Sequence, residues 1–224
     1  MKALIFDTET TGIADPEIIE AAWMLLPGDG TDCTLYQERF KPVKLIDLGA
    51  MATHHIIPSD LTDCRPSADF KLPEVDYLIG HNVDFDWQAA GSPNIKRICT
   101  LALSRYLFPN IDSHKQTAML YHLFPHETAR EMCHDAHNAL ADVNMCHALL
   151  EALIERMGED DKLTEDYTWE DIWRISEIAR IPTVMAFGKH KGLAIKDVPR
   201  DYVQWYLRQA ETDPYLVKAF TSVK

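Results

Sequence analysis

The chain has 224 residues, 46% of them hydrophobic and 25% charged, and 35 Asp and Glu stand against 22 Lys and Arg for a formal net charge of -13. That length suits one full α/β domain with a small appendage and is too short for two ordinary independent domains; the balance of apolar and charged residues excludes disordered and fibrous classes. A chain this acidic is poorly suited to coating nucleic acid by charge alone, so contact with a polyanion needs an offset such as bound divalent cations.

The opening run Ala3-Leu4-Ile5-Phe6 meets acid at Asp7 and reads as a strand buried on both faces. It is too short for a signal-peptide core and no small-residue cleavage site follows it. No apolar run approaches the roughly 20 residues that span a bilayer. Ile18 to Leu26 is a second apolar stretch, closed by Pro27-Gly28-Asp29-Gly30, and Thr34 to Lys41 alternates. Three strands with short connections predict an antiparallel meander.

After Pro42, Ala50 to Ile57 and Asp60 to Cys64 read as short helices, the second with Ser59 as N-cap. Tyr77 to Gly80 is a fourth strand, ending in His81-Asn82. Thr100 to Leu107, Gln116 to Leu123 and Asn138 to Ile154 carry helical apolar spacing, clearest in the last. Strands followed by mixed strands and helices point to an α/β sheet covered by helices. The expected organisation is a main domain over 1–156, an acidic linker over 157–168 and a compact module over 169–224. Charge separates the parts: from Ile181 onward seven Lys and Arg stand against four Asp and Glu, a balance of +3, leaving -16 for the remainder. Cys33, Cys64, Cys99, Cys133 and Cys146 are odd in number, scattered and without a CxxC pair, which suits a reducing compartment. A cytoplasmic location is expected.

Three segments carry chemistry. Asp7 and Glu9 are two apart on a strand, point to one face and can converge on a hard cation such as Mg²⁺ or Mn²⁺; alone they read equally well as a solvated strand end. His81-Asn82-Val83-Asp84-Phe85-Asp86 follows a buried strand. His137 and Asp142 are five apart, roughly 140° around a helix, so they converge only if His137 lies at or before the helix start, with Asp135 or Asn138 as cap. Singly, His137 reads as an exposed helix-end histidine. Cys133, His134, His137, Cys146 and His147 crowd one region but fit no closed zinc pattern. Gly188-Lys189-His190-Lys191-Gly192 lacks the P-loop spacing, Gly28-Asp29-Gly30 has no third glycine at dinucleotide-binding spacing, and no Gly-x-Ser-x-Gly occurs.

Together, Ile5-Phe6-Asp7-Thr8-Glu9-Thr10-Thr11-Gly12, His81-Asn82-x-x-Phe85-Asp86 and His137-x-Ala139-x-x-Asp142 resemble the three motifs of the DEDDh, DnaQ-like exonucleases. Ala50 to His54 resembles a segment that family places between its first two motifs. His55-Ile56-Ile57 departs from the common Gly-Ile-Thr, and Val83 from a frequent alanine. Phe187 to Gly192, followed by Asp201-Tyr202-Val203-Gln204-Trp205-Tyr206, resembles the C-terminal segment of the exodeoxyribonuclease X branch.

The resemblance implies a ribonuclease H-like α/β fold, a mixed sheet flanked by helices, with a small, mainly helical C-terminal module. It implies a metal-dependent 3′→5′ exonuclease that releases nucleoside 5′-monophosphates from DNA, in DNA repair, with two Mg²⁺ or Mn²⁺ ions per site. By that resemblance Asp7 bridges both ions, Glu9 and Asp142 hold the nucleophile-side ion, Asp86 acts on the second through water, and His137 is the general base. Thr11, Met51 and His54 would contact the terminal nucleotide. Lys189 and Lys191 would face the backbone while Tyr202 or Trp205 stacks on bases, although Trp205 and Tyr206 read equally well as the core of a helical module. Two rival readings stand beside it: an exoribonuclease of the ribonuclease T or oligoribonuclease type, and a non-catalytic DNA-binding subunit.

Overall fold

The computed structural model describes residues 1–26, 33–185, 187–210 and 212–222; the turn expected at Pro27-Gly28-Asp29-Gly30 lies outside the described residues. Strands β1 (Ala3–Thr10), β2 (Ile18–Leu26), β3 (Thr34–Lys41), a two-residue β4 (Arg65–Pro66), β5 (Tyr77–Gly80) and β6 (Lys96–Cys99) form one sheet of order β4-β3-β2-β1-β5-β6. The expected meander is there, with β1–β2 and β2–β3 antiparallel, whereas β5 lies parallel to β1 and β6 to β5.

Strand β1 divides two cores. Ala3 and Ile5 share a face with Ala22, Met24 and Ile79 under helix α6 (Ala139–Glu159), while Leu4 and Phe6 face Ile18, Phe40 and Leu78 on the other side. Period two carries the first row onward, so Asp7 and Glu9 emerge on the α6 face. The apolar part of the strand anchors it, and the acidic part meets the start of the helix.

Helix α1 (Leu48–His54) is displaced from the expected Ala50 to Ile57, because His55 turns left-handed at φ 59° and returns its N–H to the Met51 carbonyl at 2.9 Å. The expected helix over Asp60 to Cys64 is instead a 3-10 turn, Pro58–Leu61. Ser59 lies inside that turn and does not cap it; Pro58 opens it, where a missing N–H leaves no bond unmade.

Helices α2 (Asp84–Ala89), α3 (Thr100–Leu107), α4 (Gln116–Leu123) and α5 (His126–Met132) precede α6. Along α6 the residues Val143, Cys146, Leu150, Leu153 and Met157 form one buried stripe, each large aliphatic member worth about 1.5–3 kcal/mol of transfer free energy. That stripe carries the helix through Gly158, so the acidic stretch expected as linker from Met157 begins as helix. Helix α7 (Trp169–Ala179), with a Thr168–Asp171 capping box, packs on α3 and β6 and sends Ile172 into the large core. Beyond it, Met185, Ile195, Val198, Tyr206, Leu216, Ala219 and Phe220 make a separate small cluster, built with helices α8 (Arg200–Tyr206) and α9 (Pro214–Ser222). Arg180 joins the two parts, donating to Asp84 of α2 at 3.0 Å and to the Tyr215 hydroxyl at 2.9 Å. All five cysteines are free, and no helix among the described residues is long and apolar enough to cross a membrane.

Candidate active site

Asp7 and Glu9 point from β1 toward the first turn of α6, which carries Asp142. One carboxylate oxygen from each lies within 4.8 Å of the others. The helix start makes this convergence possible. Asn138 caps α6, its Oδ1 accepting from the Ala141 N–H at 3.2 Å, and its carbonyl takes the Asp142 N–H at 2.9 Å. His137 stands just outside in a left-handed conformation, φ 71°, so the rotation that would separate it from Asp142 inside a helix does not apply. Asp135 does not cap; it pairs with His134.

Asp86 reaches the site from the other face of β1. Strand β5 pairs with β1 only as far as Ile5, which leaves the Thr8 N–H without a strand partner. Asp86 Oδ1 accepts that N–H at 3.0 Å and the Thr8 hydroxyl at 2.8 Å. Glu20, on β2 and 1% exposed, braces the helix from beneath: Oε2 accepts the Ala139 N–H at 3.2 Å and Oε1 accepts from Arg39 Nε at 2.8 Å.

Burial and mutual repulsion dominate the electrostatics. Burial, then Asp86, Asp142, Glu9 and Glu20, raise the Asp7 carboxyl well above the ordinary range. Burial and the same neighbours push Glu9 up to about 8. Asp86 goes up to about 7 through burial, against the lowering pull of the Thr8 hydrogen bonds. Asp142 goes up to about 6 by burial, opposed by His137. No Lys or Arg among the described residues pairs with any of these four acids; Arg39 is engaged with Glu20. Clustered carboxylate oxygens without a cationic partner fit a hard divalent ion, whose charge would draw the protons off. The Cys133, His134, His137, Cys146 and His147 crowd supplies no such grouping among the described residues.

Two cavities flank the acids. A pocket of about 490 Å³ is lined by Glu9, Gly12, Ile13, His54 and Phe85 among others, and a cleft of about 820 Å³ by Asp7, Asn82, Arg105, Lys115, His137 and Asp142 among others. A side chain at Gly12 would put its Cβ 2.1 Å from Asp47 Oδ2, so glycine lets Asp47 pack against it in the small pocket's wall. His54 is buried on that pocket's wall, its Nδ1 accepting from the Ile56 N–H at 3.0 Å, and burial lowers its pKa. Thr11 and Met51 are placed differently: the Thr11 hydroxyl accepts from the Glu17 N–H, and Met51 packs on Ile19, Ile46, Ile56 and Leu61. Neither departure from the family pattern lines the pocket. Val83 is fully buried in the core, and His55 occupies the left-handed position after α1 where glycine is at ease.

His81 is a bolt. Its Nδ1 meets Thr100 Oγ1 at 3.0 Å and its Nε2 the His114 carbonyl at 2.9 Å, with burial pushing its pKa down to about 4. In the C-terminal cluster, Gly188 and Gly192 are left-handed, Lys189 and Lys191 are exposed, and Lys189 Nζ lies 5.7 Å from the Tyr202 ring. Tyr206 is core there, whereas Trp205 remains 54% exposed beside Tyr202. Glu20 and Gln116, which donates to the Asp142 carbonyl at 2.9 Å, are site supports with no motif to announce them.

A family profile described as "Putative quorum-sensing-regulated virulence factor" matches residues 175–213, within the C-terminal part. Exodeoxyribonuclease 10 of Escherichia coli (strain K12) is 28% identical over 214 residues, covering 93% of this chain and 91% of its own. Among solved structures, exonuclease X in complex with 5′-overhanging duplex DNA matches with a TM-score of 0.57 at 24% identity, over 78% of this chain and 99% of that one. A structure of exonuclease I matches with a TM-score of 0.58 at 17% identity, over 95% of this chain and 60% of that one. These structural likenesses establish the ribonuclease H-like fold.

Proposed function

We propose that this chain is a DnaQ-like exonuclease of the exodeoxyribonuclease X type, which hydrolyses DNA from the 3′ end to nucleoside 5′-monophosphates with divalent cations. The observation that carries this reading is the convergence of Asp7, Glu9 and Asp142 within 4.8 Å between two cavities. Near-full-length similarity to an exodeoxyribonuclease supports DNA as the substrate.

Two Mg²⁺ or Mn²⁺ ions, when bound here, would lower the pKa of a water and stabilise the charge that builds on the phosphate. Asp7, Glu9 and Asp142 would supply the oxygens that hold them. Asp86, fixed by its two hydrogen bonds to Thr8, would add its charge to that donor set. His137 is exposed at the rim of the cleft beside Asp7 and Asp142. Its imidazole takes a proton from the attacking water as the new P–O bond forms and the bond to the 3′ oxygen breaks. That oxygen takes up a proton, leaving a shortened strand and a free 5′-monophosphate.

The terminal nucleoside sits in the pocket lined by His54 and Phe85, with Thr11 and Met51 shaping it from behind. Lys189 and Lys191, beside Tyr202 and Trp205, contact DNA farther along, and the protein acts in the cytoplasm in DNA repair. The test is release of labelled mononucleotide from a 3′-labelled DNA oligonucleotide, with a matched RNA strand at the same salt. We expect release with Mg²⁺, none with chelator, slower release from RNA, and at least about 10³-fold loss in Asp7→Ala. Full activity of Asp7→Ala would overturn the assignment, and faster release from RNA would transfer it to an exoribonuclease.

A further inference from the structure

The polyanion problem posed by the composition has a local answer in the larger cavity. The pocket on the Glu9 side has no Lys or Arg in its lining, so it suits a nucleoside. The cleft on the His137 side carries Arg105 and Lys115. Both side chains are exposed, and neither makes an ion pair among the described residues. They stand out in a region where acids exceed bases by 16.

Both line the same cleft as Asp7 and Asp142 of the metal-site acids. The loop that delivers Lys115 is held at His114: its carbonyl pairs with His81 Nε2 at 2.9 Å, and its own Nε2 pairs with the Phe108 carbonyl at 2.8 Å. Next to Lys115, Gln116 Nε2 donates to the Asp142 carbonyl at 2.9 Å. The segment that carries Lys115 is thus tied through His114 to His81 of the second motif and through Gln116 to Asp142 of the third, while Arg105 stands on α3 in the same wall. Apart from the site acids, Asp112 is the one carboxylate in this wall.

A strand whose last nucleoside fills the small pocket, with its scissile phosphate at the acids, must leave through the cleft. We propose that Arg105 and Lys115 bind the phosphates of the strand on the 5′ side of the scissile bond, giving an acidic enzyme its grip on a polyanion. The proposal rests on the exonuclease reading above and adds to it the direction in which the strand runs.

The test is equilibrium binding of a fluorescein-labelled dodecathymidylate by polarisation, with Ca²⁺ in place of Mg²⁺, across a series of salt concentrations. Each phosphate neutralised on a single strand contributes about 0.7 to the slope of log K against log salt. Arg105→Ala/Lys115→Ala should therefore flatten the slope by about 1.4 and weaken binding about tenfold at moderate salt. Arg105→Lys/Lys115→Arg should restore the slope. A parallel assay uses the p-nitrophenyl ester of thymidine 5′-monophosphate, which ends at the scissile phosphate. The double alanine variant should lose far more turnover on the oligonucleotide than on the ester. An unchanged salt slope, or equal losses on both substrates, would overturn the proposal. Failure of the exonuclease reading is distinguishable, because it would show as wild-type protein that cleaves neither substrate with Mg²⁺.

Discussion

Asp7, Glu9, Asp86 and Asp142 destabilise the metal-free molecule for the same reason that they suit a cation: each is a carboxylate held among carboxylates. Asp7→Asn should therefore abolish hydrolysis yet raise the thermal midpoint of the metal-free protein at pH 8, by about 2–4 °C for about 1 kcal/mol relieved. A fall in that midpoint would contradict the electrostatic account. His137→Ala should lower kcat by about 10²–10⁴-fold, while Mn²⁺ affinity stays near that of wild type. His55→Gly should raise the midpoint, since a left-handed non-glycine residue costs on the order of 1–2 kcal/mol; no gain would mean that His55 makes a compensating contact. The convergence of Asp7, Glu9 and Asp142 was legible as a spaced pattern because metal chemistry restricts residue type. The side-chain directions of Thr11 and Met51 were not, because they follow from the Glu17 turn and the Ile19 cluster, which no local pattern encodes.

Helix α6 carries the third motif, and its seat is the buried Glu20. Glu20→Ala leaves the Ala139 N–H without an acceptor and Arg39 without its partner. We expect about 1–3 kcal/mol loss of stability, read from the urea midpoint. Glu20→Gln, which keeps an acceptor for the N–H, should lose less. Equal losses would place the role in the charge and not in the helix anchor. The main elements of the sheet were readable: β2 and β3 fall where apolar runs and alternation put them. Strand β6 was not, because Lys96-Arg97 precede only two apolar residues and their burial depends on pairing with β5. The end of α6 was obscured by Gly158 and the acids after it, while the buried stripe ending at Met157 decides the matter. A four-residue strand needs neighbours to be seen; a helical stripe needs only to be followed far enough.

For the molecule as a whole, proton linkage gives a pH signature. Burial pushes Glu9, Asp86 and Asp142 up to about 8, about 7 and about 6 in the folded protein without metal, against about 4 when unfolded. Between those values the folded state binds more protons, so stability without divalent cations falls as pH rises from about 4 to about 8. Mn²⁺ should reverse this, raising the melting midpoint more at pH 8 than at pH 5.5 in differential scanning fluorimetry. Equal increments at both values would contradict the linkage. The C-terminal part was legible as a basic end, but not its internal division, since α7 joins the large core while the residues after Arg180 build their own.

Whether the acids gather cations is decided by calorimetric titration of the intact protein with Mn²⁺ in the presence of thymidine 5′-monophosphate. Wild type should take up two ions per chain, with proton release that grows as pH falls from 8 to 6, and Asp7→Ala should lose that uptake. Wild-type protein that takes up no Mn²⁺ with the nucleotide present, or an Asp7→Ala variant that binds it undiminished, would contradict a metal site at these acids.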